Sequence, residues 1–156
     1  MLLDILLAVA LALVAVLGLL MWIRRSASCA RTIEAPAAER ERIFWGGVMC
    51  RYVVTSGSLS RLEFFDWGVR VCGTALSRWI VPTWEARYEE LARAELVVFR
   101  SSRIAVWLRL REEPDAIAFL TERSAEILPL LEGRGVPVNR YVARIRRLDE
   151  LYQLPE

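Results

Sequence analysis

A chain of 156 residues has room for one modest domain with attachments. A net charge of +2 excludes a polycation for nucleic acid, and the complete absence of histidine removes the usual proton carrier of neutral-pH catalysis and the commonest metal ligand. The 55% hydrophobic share is high for a soluble domain, and much of it lies between Met1 and Ile23. All 21 basic residues are arginine, which with the abundant alanine reads as a GC-rich coding bias of some bacteria rather than a choice of guanidinium chemistry.

The first element is the apolar run itself. Ile5 to Ile23 carries no charge, and as a helix it covers about 28 Å, close to the ~30 Å hydrocarbon layer of a bilayer. Residues 1–25 are therefore expected to form a transmembrane anchor, with the lipid bilayer as the partner of residues 5–23. Trp22 suits the headgroup level, and Arg24 and Arg25 behind it, against Asp4 alone in front, predict a single-pass protein of the inner membrane with its domain in the cytoplasm. A cleavable signal peptide is disfavoured by the acidic start and by the arginine pair before Ser26-Ala27-Ser28. A lipoprotein signal fits poorly because Ser26 stands three places before Cys29. A buried helix of a soluble protein would want a polar stripe, and the run has none.

Residues 26–42 read as a juxtamembrane linker, with Pro36 able to start a short polar helix through Arg42. The three cysteines, Cys29, Cys50 and Cys72, show no CxxC spacing. Cys50 and Cys72 read as small buried hydrophobes in a reducing compartment, and Cys29 as a juxtamembrane thiol open to acylation.

From Val48 the pattern is that of strands. Val48 to Thr55 ends at Ser56-Gly57-Ser58. Leu59 to Phe65 and Val69 to Cys72 flank the tight turn Asp66-Trp67-Gly68. Leu76 to Val81 is expected as a fourth strand stopped by Pro82. Ala94 to Arg100 and Ile104 to Leu110 make a hairpin, and in the second of these Ile104, Val106, Leu108 and Leu110 mark a buried face. Ala116 to Leu120 is the last strand. Thr121 then caps a helix to about Glu132 with Ile127, Leu128, Leu130 and Leu131 as its stripe, ended by Gly133 and Gly135. After Pro137 the spacing of Tyr141, Val142, Ile145, Leu148 and Leu151 predicts a second helix, capped by Asn139.

Three stretches carry a family resemblance: Leu62-Glu63-Phe64-Phe65-Asp66-Trp67-Gly68-Val69-Arg70-Val71, the corner Arg87-Tyr88-Glu89-Glu90-Leu91, and the strand-then-helix ending Ala116 to Leu131. Over Val48 to Gly135 the chain resembles the bacterial, membrane-tethered branch of pleckstrin-homology-like (PH-like) domains. The fold class is then α+β: a transmembrane helix (1–25), a linker (26–42), a PH-like small antiparallel β-sandwich or barrel capped by a helix (43–135), and a terminal amphipathic helix (136–156). A generic α+β domain with its helices on one face is the alternative.

No nucleophile motif, P-loop or dinucleotide fingerprint is present, so no catalytic residue, cofactor or metal is expected. Glu89-Glu90 and Glu112-Glu113 read as solvated or ion-paired surface. The resemblance implies a module that binds protein or lipid. Its phosphoinositide-binding members use a dense basic motif around the first loop, where this chain offers only Arg51 and Arg61. Arg140, Arg144, Arg146 and Arg147 beside the terminal stripe could meet anionic lipid, or the stripe could pack back on the domain. Among Trp45, Trp67, Trp79, Trp84 and Trp107, most should be core, and an exposed one would mark a binding patch. The reading is a non-enzymatic module with an unidentified protein partner. Sensing of anionic lipid is the first alternative, and an unrecognised enzyme comes third.

Overall fold

A computed structural model describes residues 2–26, 30–50, 53–55, 57–78, 80–99, 103–112 and 116–145. Helix α1 runs Leu2–Ser26. Every side chain described along it is exposed, with the large apolar ones from Ile5 to Met21 between 53% and 73% accessible. A helix apolar all round is normally buried, since each such side chain contributes roughly 1.5–3 kcal/mol when taken out of water. Described side chains in α1 run unbroken only from Ile5 to Leu19. Among the described residues, no helix is long and apolar enough to cross a membrane.

The domain is built on strand β1 (Arg42–Cys50), which belongs to two layers. Its first half, Arg42 to Gly46, pairs antiparallel with β3 (Ser60–Phe64). Its second half, Gly47 to Met49, pairs with β8 (Ala116–Leu120), and its end folds back through the two-residue β2 (Val53–Val54). The change of partner falls at Gly46-Gly47. A Cβ on Gly46 would run into the carbonyl oxygen of Leu120 and the ring of Phe119, so only glycine lets β1 and β8 approach there. Those glycines also hide the first half of β1 in the sequence, where the β-branched run that marks a strand starts only at Val48.

The first layer continues through β4 (Gly68–Gly73) to β5 (Trp84–Arg87). A 3₁₀ turn at Tyr88–Glu90 then carries the chain into β6 (Leu91–Phe99), which pairs with β7 (Arg103–Leu110), and that with β8. The fourth strand is thus Trp84–Arg87. Residues 75–78 and Ile80 are turn, because Ser77 is bonded to Thr74 and to the Leu59 carbonyl. Tyr88 fixes the corner, its hydroxyl donating to the Phe65 carbonyl at 2.7 Å. Burial pushes its phenol up to about 12.

One core cluster takes the alternate inward residues of both layers, among them Phe44, Leu62, Val71, Trp84, Leu108 and Phe119. Helix α2 (Ser124–Gly133) closes it with Ile127, Leu128 and Leu131. Gly135 at φ +81° lets the chain turn out of α2, with the Val136 amide donating back to Leu131. Eight antiparallel strands, counting the two-residue β2, precede the core-plugging helix, one more than the seven expected. The terminal helix is a correction. Val138–Ile145 is strand β9, parallel to β6, and residues 146–156 lie outside the described residues. An apolar spacing this short fits either period, and the open edge of β6 decides for the strand.

Two further expectations fail. No helix follows Pro36; residues 30–41 instead run as an extended strap over the outer face of the first layer. Cys50 is buried as expected but is disulfide-bonded, whereas Cys72 is a buried free thiol.

Candidate interaction groove beside Trp45

Where β1 leaves one layer for the other, the two sheets part and a groove of about 620 Å³ opens. Trp45 and Gly46-Gly47 form one wall, Gly57 and Ser58 of the turn before β3 form the rim, and Ile104, Leu120 and Thr121–Arg123 form the other wall. Gly57 holds φ +72°, a left-handed conformation that suits glycine. Trp45 is 49% exposed and Ile104 41%, so two large apolar side chains meet solvent across one cleft.

The polar side of the groove is the entry to α2. The Thr121 hydroxyl accepts from the Arg123 amide at 3.1 Å, a local turn that sets Glu122 and Arg123 outward. Arg123 lies 5.0 Å above the Phe44 ring and is bound through two bonds to Glu126, which holds that carboxyl below the usual carboxylate range. An incoming basic group therefore finds Glu122 exposed while Arg123 and Glu126 already satisfy each other.

On the outer face of the first layer, where Arg61 is the cross-strand partner of Trp45, the strap makes a charged lattice. Glu63 is 2% exposed and meets Arg40 at 2.6 Å, Arg61 at 2.8 Å and Arg70 at 3.8 Å. Arg70 also reaches Glu85 at 2.5 Å, whose other oxygen accepts the Ile33 amide at 3.0 Å. At the far end Arg31 donates twice to Glu90, and this pairing lowers the Glu90 pKa. The smaller cleft of about 230 Å³ beside Arg31, Glu90 and Arg111 is lined by charges of both signs.

The residues expected to bind fall into three groups. Arg61 is engaged by Glu63 and by the Cys72 sulfur at 3.2 Å, a bond that raises its pKa. Arg140 and Arg144 are exposed on β9, with Arg140 paired to Glu132 at 2.6 Å, and four strands separate β9 from β3. The structure therefore does not bring Arg61 and the β9 arginines together. Arg51, Arg146 and Arg147 lie outside the described residues, as do the side chains of Trp22, Arg24 and Arg25 on the helical backbone of α1. Of the tryptophans, Trp84 and Trp107 are core, Trp67 stacks on Phe65 at 5.1 Å, and Trp79 lies outside the described residues. Trp45 alone of the four described is half exposed. Alternation assigns Ile104 to the buried face, but it stands at the start of β7 and is exposed. The signal that marks the groove is the pair of glycines directly after Trp45.

No family model matches the chain, and no curated protein is similar to it. Among solved structures, the chain is similar to the "Vps36 N-terminal PH domain", with 10% identity, a TM-score of 0.46, and coverage of 69% of this chain and 89% of that one.

Proposed function

We propose that the chain is a membrane-tethered interaction module that presents the Trp45 groove to a protein partner at the bilayer surface. The observation that carries this reading is the contrast within one chain: α1 exposes apolar side chains on every side, while the domain beside it has a complete core of its own. Ile5 to Ile23 is uncharged in sequence, and the helical backbone extends through it; lipid removes the cost of that exposure. Four peptide steps separate Ser26 from Ala30, so the strap holds the domain within about 15 Å of the end of the helix. Tethering at that distance raises the effective concentration of any partner in the same membrane without new contacts.

The groove fits a polypeptide segment with an aromatic or branched apolar side chain to lie between Trp45 and Ile104, next to a basic residue that meets Glu122. Binding of anionic lipid draws less support, because Arg61 and Arg140 are already paired with carboxylates. A photo-crosslinking amino acid at position 45, in native membranes, tests the reading. It should trap a protein that the same probe at the exposed Arg87 position does not. Equal labelling from both positions, or lipid adducts alone, would refute the groove.

A further inference from the structure

Trp45 on β1 and Arg61 on β3 are cross-strand partners, so their side chains stand side by side on the outer face of the first layer. We infer that Arg61, through its two Nη nitrogens, takes a carboxylate of the polypeptide that occupies the Trp45 groove. The partner's apolar anchor is then flanked by an aspartate or glutamate. This names the chemistry of the partner and rests on the groove reading.

The observation that carries it is how Arg61 is held. Its Nε lies 2.8 Å from Glu63 Oε1 and donates to the Cys72 sulfur at 3.2 Å. Glu63 and Cys72 are both buried, so one end of the guanidinium is anchored to the sheet. Among the described residues neither Nη of Arg61 makes a hydrogen bond, and the side chain is 35% exposed. Two N–H groups side by side on a fixed guanidinium match the two oxygens of a carboxylate. Because Glu63 and Cys72 already restrict the side chain, little rotamer freedom is lost on binding.

The surrounding charges accept one more acid. Arg40, Arg61 and Arg70 share Glu63, and among the described residues Glu85 is the one further carboxylate paired with them. Three guanidiniums therefore meet two carboxylates, and an incoming third completes the set. Glu63 weakens the net field that an anionic surface would sense, but it leaves the Arg61 fork open to a single oxyanion of fitting geometry. Tryptophan and arginine are also among the residue types in which interfaces concentrate binding energy. On the facing wall of the groove Glu122 stays exposed for a basic residue. The partner thus carries opposite charges on the two sides of its apolar residue.

The test pans a random peptide library against the full-length chain in detergent, with Trp45→Ala as the counter-target. Peptides that bind the wild type and not Trp45→Ala should carry an aspartate or glutamate close to an aromatic or branched apolar residue. Changing that acid to its amide, which leaves the protein's own fold untouched, should weaken binding roughly tenfold on the wild type and not at all on Arg61→Gln. Arg61→Lys keeps the charge but has no fork, and should behave like Arg61→Gln. Equal loss on both backgrounds, full affinity in Arg61→Lys, or Trp45-dependent peptides without an acid would overturn the inference and leave the groove standing. Absence of any Trp45-dependent peptide would overturn the groove itself.

Discussion

Arg31 clasps Glu90 with Nη2 2.8 Å from Oε1 and Nη1 3.1 Å from Oε2, joining the strap to the corner between the two layers. Both side chains are partly exposed, so loss of the pair in Glu90→Gln should cost only about 0.5–1 kcal/mol. Because pairing lowers the Glu90 pKa, its contribution is complete above the ordinary carboxylate pKa and is lost as pH falls through the lower folded value. Hydrogen exchange at the Arg31 amide, which donates to Thr83, should therefore accelerate relative to the core in mild acid. In Glu90→Gln that acceleration should already be present at pH 7.

Glu63 is the critical charge of the outer face. Glu63→Ala leaves Arg40, Arg61 and Arg70 facing one another without their shared carboxylate. A fully buried pair broken on one side costs about 3–5 kcal/mol. These arginines are half exposed and screened, so about 2 kcal/mol is expected in denaturant unfolding. The accompanying release of the strap should appear as new tryptic cleavage at Arg40.

Gly46 and Gly57 should respond differently to alanine. At Gly46 the new methyl meets backbone on β8, and the domain should lose at least ~2 kcal/mol or fail to fold. At Gly57 the space is open and only the positive φ opposes the change, for about 1 kcal/mol. Thermal unfolding of the two variants ranks them.

Much of the fold is legible because β7 carries regular alternation, β8 is a short continuous apolar run between turn signals, and α2 carries a clear stripe. What stayed hidden has physical causes. The glycines at 46 and 47 interrupt β1, the turn around Ser77 is made of residues that also suit a strand, and β9 reads as helix until the open edge of β6 is seen. Position and charge mark the candidate arginines, but neither reveals that Glu63 and Glu132 lie beside two of them. Of the groove, sequence offered Trp45 as a candidate but could not show that Ile104 stands across from it.

Trp45→Ala separates binding from folding. The ring is half exposed and outside the core, so stability should change by less than about 1 kcal/mol, while recovery of the cross-linked or co-purified partner should fall at least tenfold. Loss of partner with equal loss of stability would assign Trp45 to the fold instead.

The account rests most directly on where α1 resides, and alkaline carbonate extraction of membranes from cells making the full-length chain measures it. The chain should stay in the pellet and enter solution only with detergent, while a variant with three arginines placed between Ala8 and Val16 should be released. Recovery of the unaltered chain in the carbonate supernatant would contradict the account.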